Sequence, residues 1–335
     1  GVARQFLVDP EWVTKLMEGR IQDIHPCIHC HNGCFNMAHY EGVPNVQPLQ
    51  DSLHMARCAL NPETMQTKKY KIVPAKRIKN VAVIGGGIGG MESALVLAKR
   101  GHNVTIYERS GSLGGVFIAA SNFSFKRADK ALIEWYKREL VKYPNITIKL
   151  NTEIKDLATL KEDEVIVATG SKPKNLPING TQNTIRAVEL LSGDFKGDVG
   201  DTPIIIGGGL TGCELAYEFI LQDKNPIILE AKGDLIAASG VCLANSSYLR
   251  DFFKWKKTPV YLHCWIKEIG DKCVTIADEK GVAKTIDGTS VILSVGYKPH
   301  PVFKKGRHVH LVGDCNEVGN LRTVIWNAWD VCMKI

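Results

Sequence analysis

From residue 80 onward, short apolar runs rich in β-branched residues alternate with longer stretches in which apolar positions recur every three or four residues. The first kind has the length and composition of strands buried on both faces, the second the period of helices packed along one side. "VAVIG" at 81–85 predicts a strand, "GMESALVLAKRG" at 90–101 a helix, and "NVTIYE" at 103–108 a second strand. A helix follows over "FKRADKALIEWYKRELVKYP", stopped by Pro144, and then strands at "ITIKLN" and "EVIVATG". At 202 the order begins again: "TPIIIGGGLTGCELAYEFILQDKNPIILE" repeats strand, glycine turn, helix and strand at the spacing of the first copy, as in a duplicated fold unit. Further strands run through "SVILSVG", and "HVHLVGD" leads into a last helix, "NLRTVIWNAWDVCMKI". Strands alternating with crossover helices make parallel sheets, so the expected fold is α/β with two Rossmann-like dinucleotide-binding domains.

The first 80 residues read differently. "DPEWVTKLMEG" at 9–19 predicts a short helix, with Asp9 as cap, Pro10 in the first turn and Gly19 as stop. "HPCIHCHNGC" then places Cys27, Cys30 and Cys34 in one tight segment, and Cys58 follows in "MARCALNP". The run "KKYKIVPAKRIK" at 68–79 holds six basic residues, no acid and Pro74, and reads as a solvated linker into the first strand.

Composition narrows the function classes. The 335 residues are 44% hydrophobic with a formal charge of +7, and no apolar run approaches the ~18 residues of a membrane span. No signal-peptide pattern opens the chain, so a soluble cytoplasmic protein is expected. The positive charge is not gathered into a surface that interleaves aromatic and basic residues, which argues against nucleic acid. Ten cysteines are too few for a disulfide scaffold of this length and suit thiols that pack or bind metal.

Both glycine turns carry chemistry. In "VIGGGIGGME", Gly85, Gly87 and Gly90 form G-x-G-x-x-G between a strand and a helix, and Glu108 stands eighteen residues beyond Gly90 at the end of the next strand. Gly85 allows the tight turn, Gly87 lets a pyrophosphate approach the backbone, and Gly90 lets the helix close on the sheet. Glu108 can then accept ribose hydroxyls. Gly207, Gly209, Gly212 and Glu230 repeat the set, and a carboxylate at 230 favours NADH over NADPH by repelling a 2′-phosphate. Lys232 stands near enough to soften that preference.

The C-x2-C-x3-C spacing of Cys27, Cys30 and Cys34 suits three corners of a cubane better than a tetrahedral zinc ribbon, which more often uses two separated pairs. Zinc and unligated thiols remain alternatives, and His25, His29, His31 and His39 could supply imidazole. The isolated Cys213, Cys242, Cys264, Cys273, Cys315 and Cys332 read as packing residues.

With "LGG" at 113–115, "ATG" at 168–170 and "LVGDC" at 311–315, the chain resembles the flavoproteins that contain two dinucleotide domains. The resemblance implies FAD on Gly85, Gly87, Gly90, Glu108, Gly114, Gly115, Thr169, Gly170, Gly313 and Asp314, and NAD on Gly207, Gly209, Gly212 and Glu230. It also implies that the NAD domain is inserted into the FAD domain. Disulfide reductases of that superfamily carry a redox cysteine pair beside the flavin, and neither dinucleotide segment here has one.

"FLVDPEWVTKLMEGRIQDIHPCIHCHNGC…CALNP" resembles the junction segment of the multi-domain old yellow enzyme relatives, the 2,4-dienoyl-CoA reductase and trimethylamine dehydrogenase family. That resemblance implies a 4Fe-4S cluster on Cys27, Cys30, Cys34 and Cys58, although the stretch between Cys34 and Cys58 is about twice the length usual there. It implies that the chain is the C-terminal portion of a longer protein whose N-terminal FMN-binding (β/α)8 barrel is missing, with Arg4 at a position that in the family approaches the FMN phosphate. The expected organisation is a barrel end and junction helix over 1–24, an iron-sulfur segment over 25–66 and a linker over 67–79. An FAD-binding domain then takes 80–200 and 298–335, with the NAD-binding domain inserted at 201–297. The implied function is an electron-input module: hydride from NADH to FAD, then single electrons through the cluster to FMN in the barrel, where an enoate or dienoyl-type substrate is reduced. Two alternatives stand beside it: a dehydrogenase module with non-catalytic ADP that exports electrons to a carrier flavoprotein, and a zinc-stapled docking module without redox turnover. Expected partners are the barrel and a nicotinamide nucleotide, with self-association left open. No catalytic side chain is identifiable, the substrate being chosen elsewhere.

Overall fold

The structure is a computed structural model, described here over residues 2–39, 55–238 and 240–335. The chain forms two compact units. One comprises residues 1–121, 126–172 and 298–335, and the other residues 122–125 and 173–297.

The first unit opens with short helices α1 (Arg4–Val8), α2 (Trp12–Met17), α3 (Phe35–His39) and α4 (Thr67–Tyr70). Asp9 does not cap α2. Its carboxylate instead accepts the backbone amides of Glu11 and His25 and pairs with Lys15 at 2.8 Å, tying the opening turn to the start of the cysteine segment. Residues 40–54, the middle of the long stretch between Cys34 and Cys58, lie outside the described residues.

A parallel sheet follows, with β1 (Asn80–Ile84), helix α5 (Ile88–Lys99), β2 (Asn103–Tyr107), α6 (Val116–Ala120), α7 (Arg127–Leu140), β3 (Ile146–Lys149) and β4 (Glu164–Val167). Strand β4 is buried along its whole length and β1 at every position but Asn80, as β-branched runs with both faces covered should be. Helix α5 is buried from Ile88 to Ala98, whereas α7 buries one stripe, Leu132, Ile133, Trp135, Tyr136 and Leu140, and leaves its charges outside.

The second unit holds β6 (Ile185–Arg186), α8 (Ala187–Ser192), β7 (Pro203–Ile206), α9 (Leu210–Leu221), β8 (Ile227–Leu229), α10 (Leu243–Lys256), β9 (Val260–Tyr261) and β13 (Ser290–Leu293), in a second parallel sheet ordered β6-β13-β7-β8-β9. Between β9 and β13 runs an antiparallel sheet, β10 (Trp265–Ile269), β11 (Cys273–Ala277) and β12 (Ala283–Asp287), with a register shift between Ile266 and Glu268. The short strands β5 (Ser171–Pro173) and β14 (Tyr297–Pro299) pair with each other. Strand β15 (Val309–Leu311) then returns to the first sheet beside β4, giving the order β15-β4-β1-β2-β3, and α11 (Leu321–Cys332) closes the chain. Among the described residues no helix is long and apolar enough to cross a membrane.

Candidate functional site

The structure carries the same cradle twice. After β1, Gly85 has φ +107°, and after β7, Gly207 has φ +109°. A Cβ on either would run into a carbonyl at the end of the neighbouring strand, Ala168 in the first sheet and Ser294 in the second. Cβ atoms on Gly90 and Gly212 would collide with the carbonyl oxygens of Gly85 and Gly207, so each helix approaches its own turn more closely than any side chain allows. Gly87 and Gly209, in contrast, face space: the nearest atom to a Cβ on Gly87 is the Gly115 Cα at 4.0 Å, and a Cβ on Gly209 has no neighbour within 4 Å. These two glycines cap α5 and α9 without a side-chain bond, so the first-turn amides point outward over an open approach. A diphosphate fits such a cradle by geometry and by the helix dipole.

Each cradle is braced by its acid. Glu108 accepts the Gly86 amide at 2.6 Å on Oε2 and the Ser110 amide and hydroxyl on Oε1. Glu230 accepts the Gly208 amide at 2.6 Å and the Lys232 amide at 2.8 Å. The carboxylates thus hold the glycine loop itself, a role that the spacing along the chain does not reveal, and their remaining lone pairs stay available to a ribose. The Lys232 ammonium turns back to the Ala237 carbonyl at 3.4 Å.

The other residues expected around the first cradle gather in the first unit. Gly114 donates to the Gly86 carbonyl at 2.8 Å, and Gly115, at φ +56°, sits against Gly87. The Thr169 hydroxyl bonds the His300 carbonyl, and the Gly170 carbonyl accepts the His300 amide. The Gly313 amide donates to Asn327 Oδ1 at 2.9 Å, while Asp314 accepts the Ser171 hydroxyl and the Gly319 amide. Burial pushes the Asp314 carboxyl upward against those two bonds. Asn327 and Ser171 are not found by sequence reasoning, because a lone amide on a helix and a serine after "ATG" carry no pattern.

A family model described as pyridine nucleotide-disulphide oxidoreductase matches residues 38–162 and 79–319. The chain belongs to that family. The cinnamate reductase of Clostridium sporogenes is 33% identical over all of this chain and 49% of its own length. The NADH oxidase of Thermoanaerobacter brockii is 30% identical over all of this chain and 51% of its own. A solved structure of a 2-naphthoyl-CoA reductase complex, 28% identical, superposes with a TM-score of 0.86 over 99% of this chain and 50% of that one. The chain therefore spans about half the length of these relatives. The T. acidophilum thioredoxin reductase, 18% identical, shares the fold with a TM-score of 0.60 over 77% of this chain and 97% of its own. This member of the pyridine nucleotide-disulphide oxidoreductase family is an enzyme of the oxidoreductase class, built on two Rossmann-like units.

The expectation of an iron-sulfur site is corrected. The structure brings Cys30 near Cys27 and Cys34, and Cys58 near Cys27 and Cys30, with Gly33 pressed on the Cys58 backbone. Yet among the described residues no group of three or more His, Cys, Asp or Glu side chains is disposed to hold a metal ion. Burial raises the Cys30 thiol to about 11 and the Cys58 thiol to about 12, as it does for thiols that pack. Cys27 and Cys58 pack against the apolar core of the first unit. The zinc alternative falls with the same absence among the described residues.

The expected family, that of the old yellow enzyme relatives with an FMN barrel as partner, is corrected as well. The family model that matches is that of the two dinucleotide sheets. Arg4 bonds His31 Nε2 at 2.8 Å. The electron route through a 4Fe-4S cluster to FMN falls with these two points.

Proposed function

We propose that the chain is an FAD-dependent NAD(P)H oxidoreductase module that takes hydride from a reduced nicotinamide nucleotide and passes the electrons to a partner flavoprotein. The observation that carries this reading is the paired cradle: two uncapped helix N-termini, each behind an open glycine and each braced by an acid, in two separate sheets. FAD is placed on Gly85, Gly87, Gly90, Glu108, Gly114, Gly115, Thr169, Gly170, Gly313 and Asp314, within the domain running 80–200 and 298–335. The nicotinamide nucleotide is placed on Gly207, Gly209, Gly212 and Glu230, within 201–297. Glu230 favours NADH, since a 2′-phosphate beside it meets like charge.

A bound flavin supplies the ability to accept two electrons together and release them singly or in pairs. This chain's residues bind and orient. The α5 and α9 amides neutralise diphosphate charge, the half-buried Asp314 and the Gly313 amide fix the segment that follows β15, and Glu230 selects the ribose. A disulfide is a poorer acceptor than a flavoprotein here, because Cys213 and Cys315 are single buried thiols bonded to the carbonyls of Gly208 and Val167. Reductase and oxidase names among the relatives support the direction of flow, from nicotinamide toward an acceptor.

Anaerobic titration of FAD-loaded protein with NADH tests the reading. The flavin band should bleach, and ferricyanide should then be reduced catalytically. Extraction of ADP in place of FAD, with no bleaching, would overturn hydride transfer and leave the first cradle a nucleotide seat.

A further inference from the structure

Glu92 is a carboxyl of the first cradle helix that has no role in seating the dinucleotide as proposed. It lies on α5 five positions after Gly87, about 8 Å into the helix at 1.5 Å per residue, and is 6% exposed. Tyr136 of α7 donates to its Oε2 at 2.7 Å, and the Trp329 indole of α11 donates to its Oε1. No lysine, arginine or histidine among the described residues forms an ion pair with it. A carboxylate sealed in that way, with two neutral donors and no cation, is strongly disfavoured relative to the neutral acid.

The groups facing it reinforce this. Tyr136 is itself pushed well above its ordinary value by burial and by Glu92. On α11, burial raises the Cys332 thiol to about 12. His25, stacked on Trp135 at 3.8 Å and lowered by burial to about 3, contributes no positive charge. Lys99, at the far end of α5, is the one cation that pulls on Glu92, and burial outweighs it.

We propose that Glu92 is a proton-bearing positioning residue whose neutral form is required for tight binding of a dinucleotide diphosphate in the first cradle. The proposal rests on the reading that this cradle holds FAD. A negative charge inside the helix opposes the diphosphate across about 10 Å of low-dielectric protein, whereas the neutral acid lets the α5 amides act unopposed. Binding and protonation are then linked: affinity is full below the folded-state pKa of Glu92 and falls as pH rises through it.

The experiment uses the full chain stripped of nucleotide and FAD as the probe, with affinity read from flavin fluorescence across pH and proton uptake read by calorimetry in buffers of different ionisation heat. Wild type should lose affinity about ten-fold above the break, the size of one unit charge at ~10 Å and an effective dielectric of ~20. It should also take up a proton on binding there. Glu92→Gln, which keeps the shape and can keep the Trp329 bond, should bind FAD with no such break and no such uptake. Tyr136→Phe, which removes a bond to the charged form, should move the break to higher pH, a shift that a merely structural role would not produce. Infrared spectra of the FAD-loaded protein should show a neutral carboxylic acid band that Glu92→Gln removes. An unchanged slope in Glu92→Gln, or no such band in wild type, overturns the proposal while leaving FAD binding intact. A wild type that binds no FAD at any pH overturns the reading of the cradle together with the linkage built on it.

Discussion

The two cradles share their turn glycines, their acid and the leucine against the loop, and differ at most of the positions between. Gly85 and Gly207, Glu108 and Glu230, and Leu113 and Leu235 are each 122 positions apart, and the two leucines contact Gly86 and Gly208 in the same way. Where the first copy has Gly114 and Gly115, the second has Ile236 and Ala237, and the Ile236 amide makes to Gly208 the bond that Gly114 makes to Gly86. At the position of the buried Glu92 the second copy has Glu214, which is half-buried. The shared set is what the proposed reading uses to seat a diphosphate. The differences lie where the first copy admits closer backbone approach and seals its helix under α7 and α11, which the proposed reading assigns to a held cofactor. The second copy stays open, as suits a substrate that comes and goes.

The sharpest way to break the symmetry is Gly90→Ala against Gly212→Ala. Either Cβ meets the carbonyl of its own turn, backbone against backbone, with no flexible atom to give way. Gly90→Ala should abolish FAD retention, measured as flavin content of purified protein. Gly212→Ala should keep the flavin but lose NADH bleaching. Equal effects of both changes on both readouts would end the division of labour.

Acid should separate the sheets next. At the foot of β4, burial raises the Glu164 carboxyl, but bonds to Lys79, His310 and His308 outweigh it and pull the group down to about 2. Its folded value thus lies below its ordinary 4.5, so its contribution is full above about pH 4.5 and is lost as pH falls through about 2. With His308 exposed to solvent, about 1–2 kcal/mol is expected. In the second sheet Ser290 begins the matching strand β13 and bonds the Val199 carbonyl without charge. Thermal unfolding at pH 7 and pH 3 should show Glu164→Gln destabilised most at the higher pH and by less than half as much at the lower. Equal losses at both would mean that the cluster is not the acid-sensitive group.

The regions legible in the sequence are those where local chemistry forces one answer. A β-branched run ending in a glycine that needs positive φ, followed by a helix and an acid, marks both parallel sheets. The antiparallel β10 to β12 sheet leaves no such mark, since Trp265–Ile269 and Ala283–Asp287 are largely exposed and β10 is interrupted by a register shift, so no clean alternation survives. In the cysteine segment the sequence misleads. Spacing along the chain reports that thiols can meet but not how their side chains are disposed in space, and among the described residues no three such groups are placed to hold a metal ion. Glu92 is invisible for the opposite reason: its partners lie 44 and 237 residues away.

The nucleotide preference of the second cradle is a smaller effect. Glu230→Gln keeps an acceptor for the Gly208 amide while removing the charge that faces a 2′-phosphate. The ratio of kcat/KM for NADH over NADPH should fall roughly ten-fold, the discrimination available from one charge at a partly solvated site. An unchanged ratio would assign the choice to another residue.

The smallest effect concerns the position where the copies differ by one methyl group. Gly115 sits at φ +56° and ψ −144°, a region that side chains rarely adopt, and its Cβ would lie 3.1 Å from the Gly87 Cα. Gly115→Ala should therefore cost about 1 kcal/mol and weaken FAD binding several-fold, because the strain falls on the open glycine of the cradle. Ala237→Gly, the reverse change in the second copy, relieves nothing, since that residue is exposed and its backbone is not in the left-handed region. It should leave the KM for NADH unchanged within about two-fold, since no strained contact is removed. If Ala237→Gly instead tightened nucleotide binding, backbone approach would limit the second cradle too, and its openness would not be a matter of residence time.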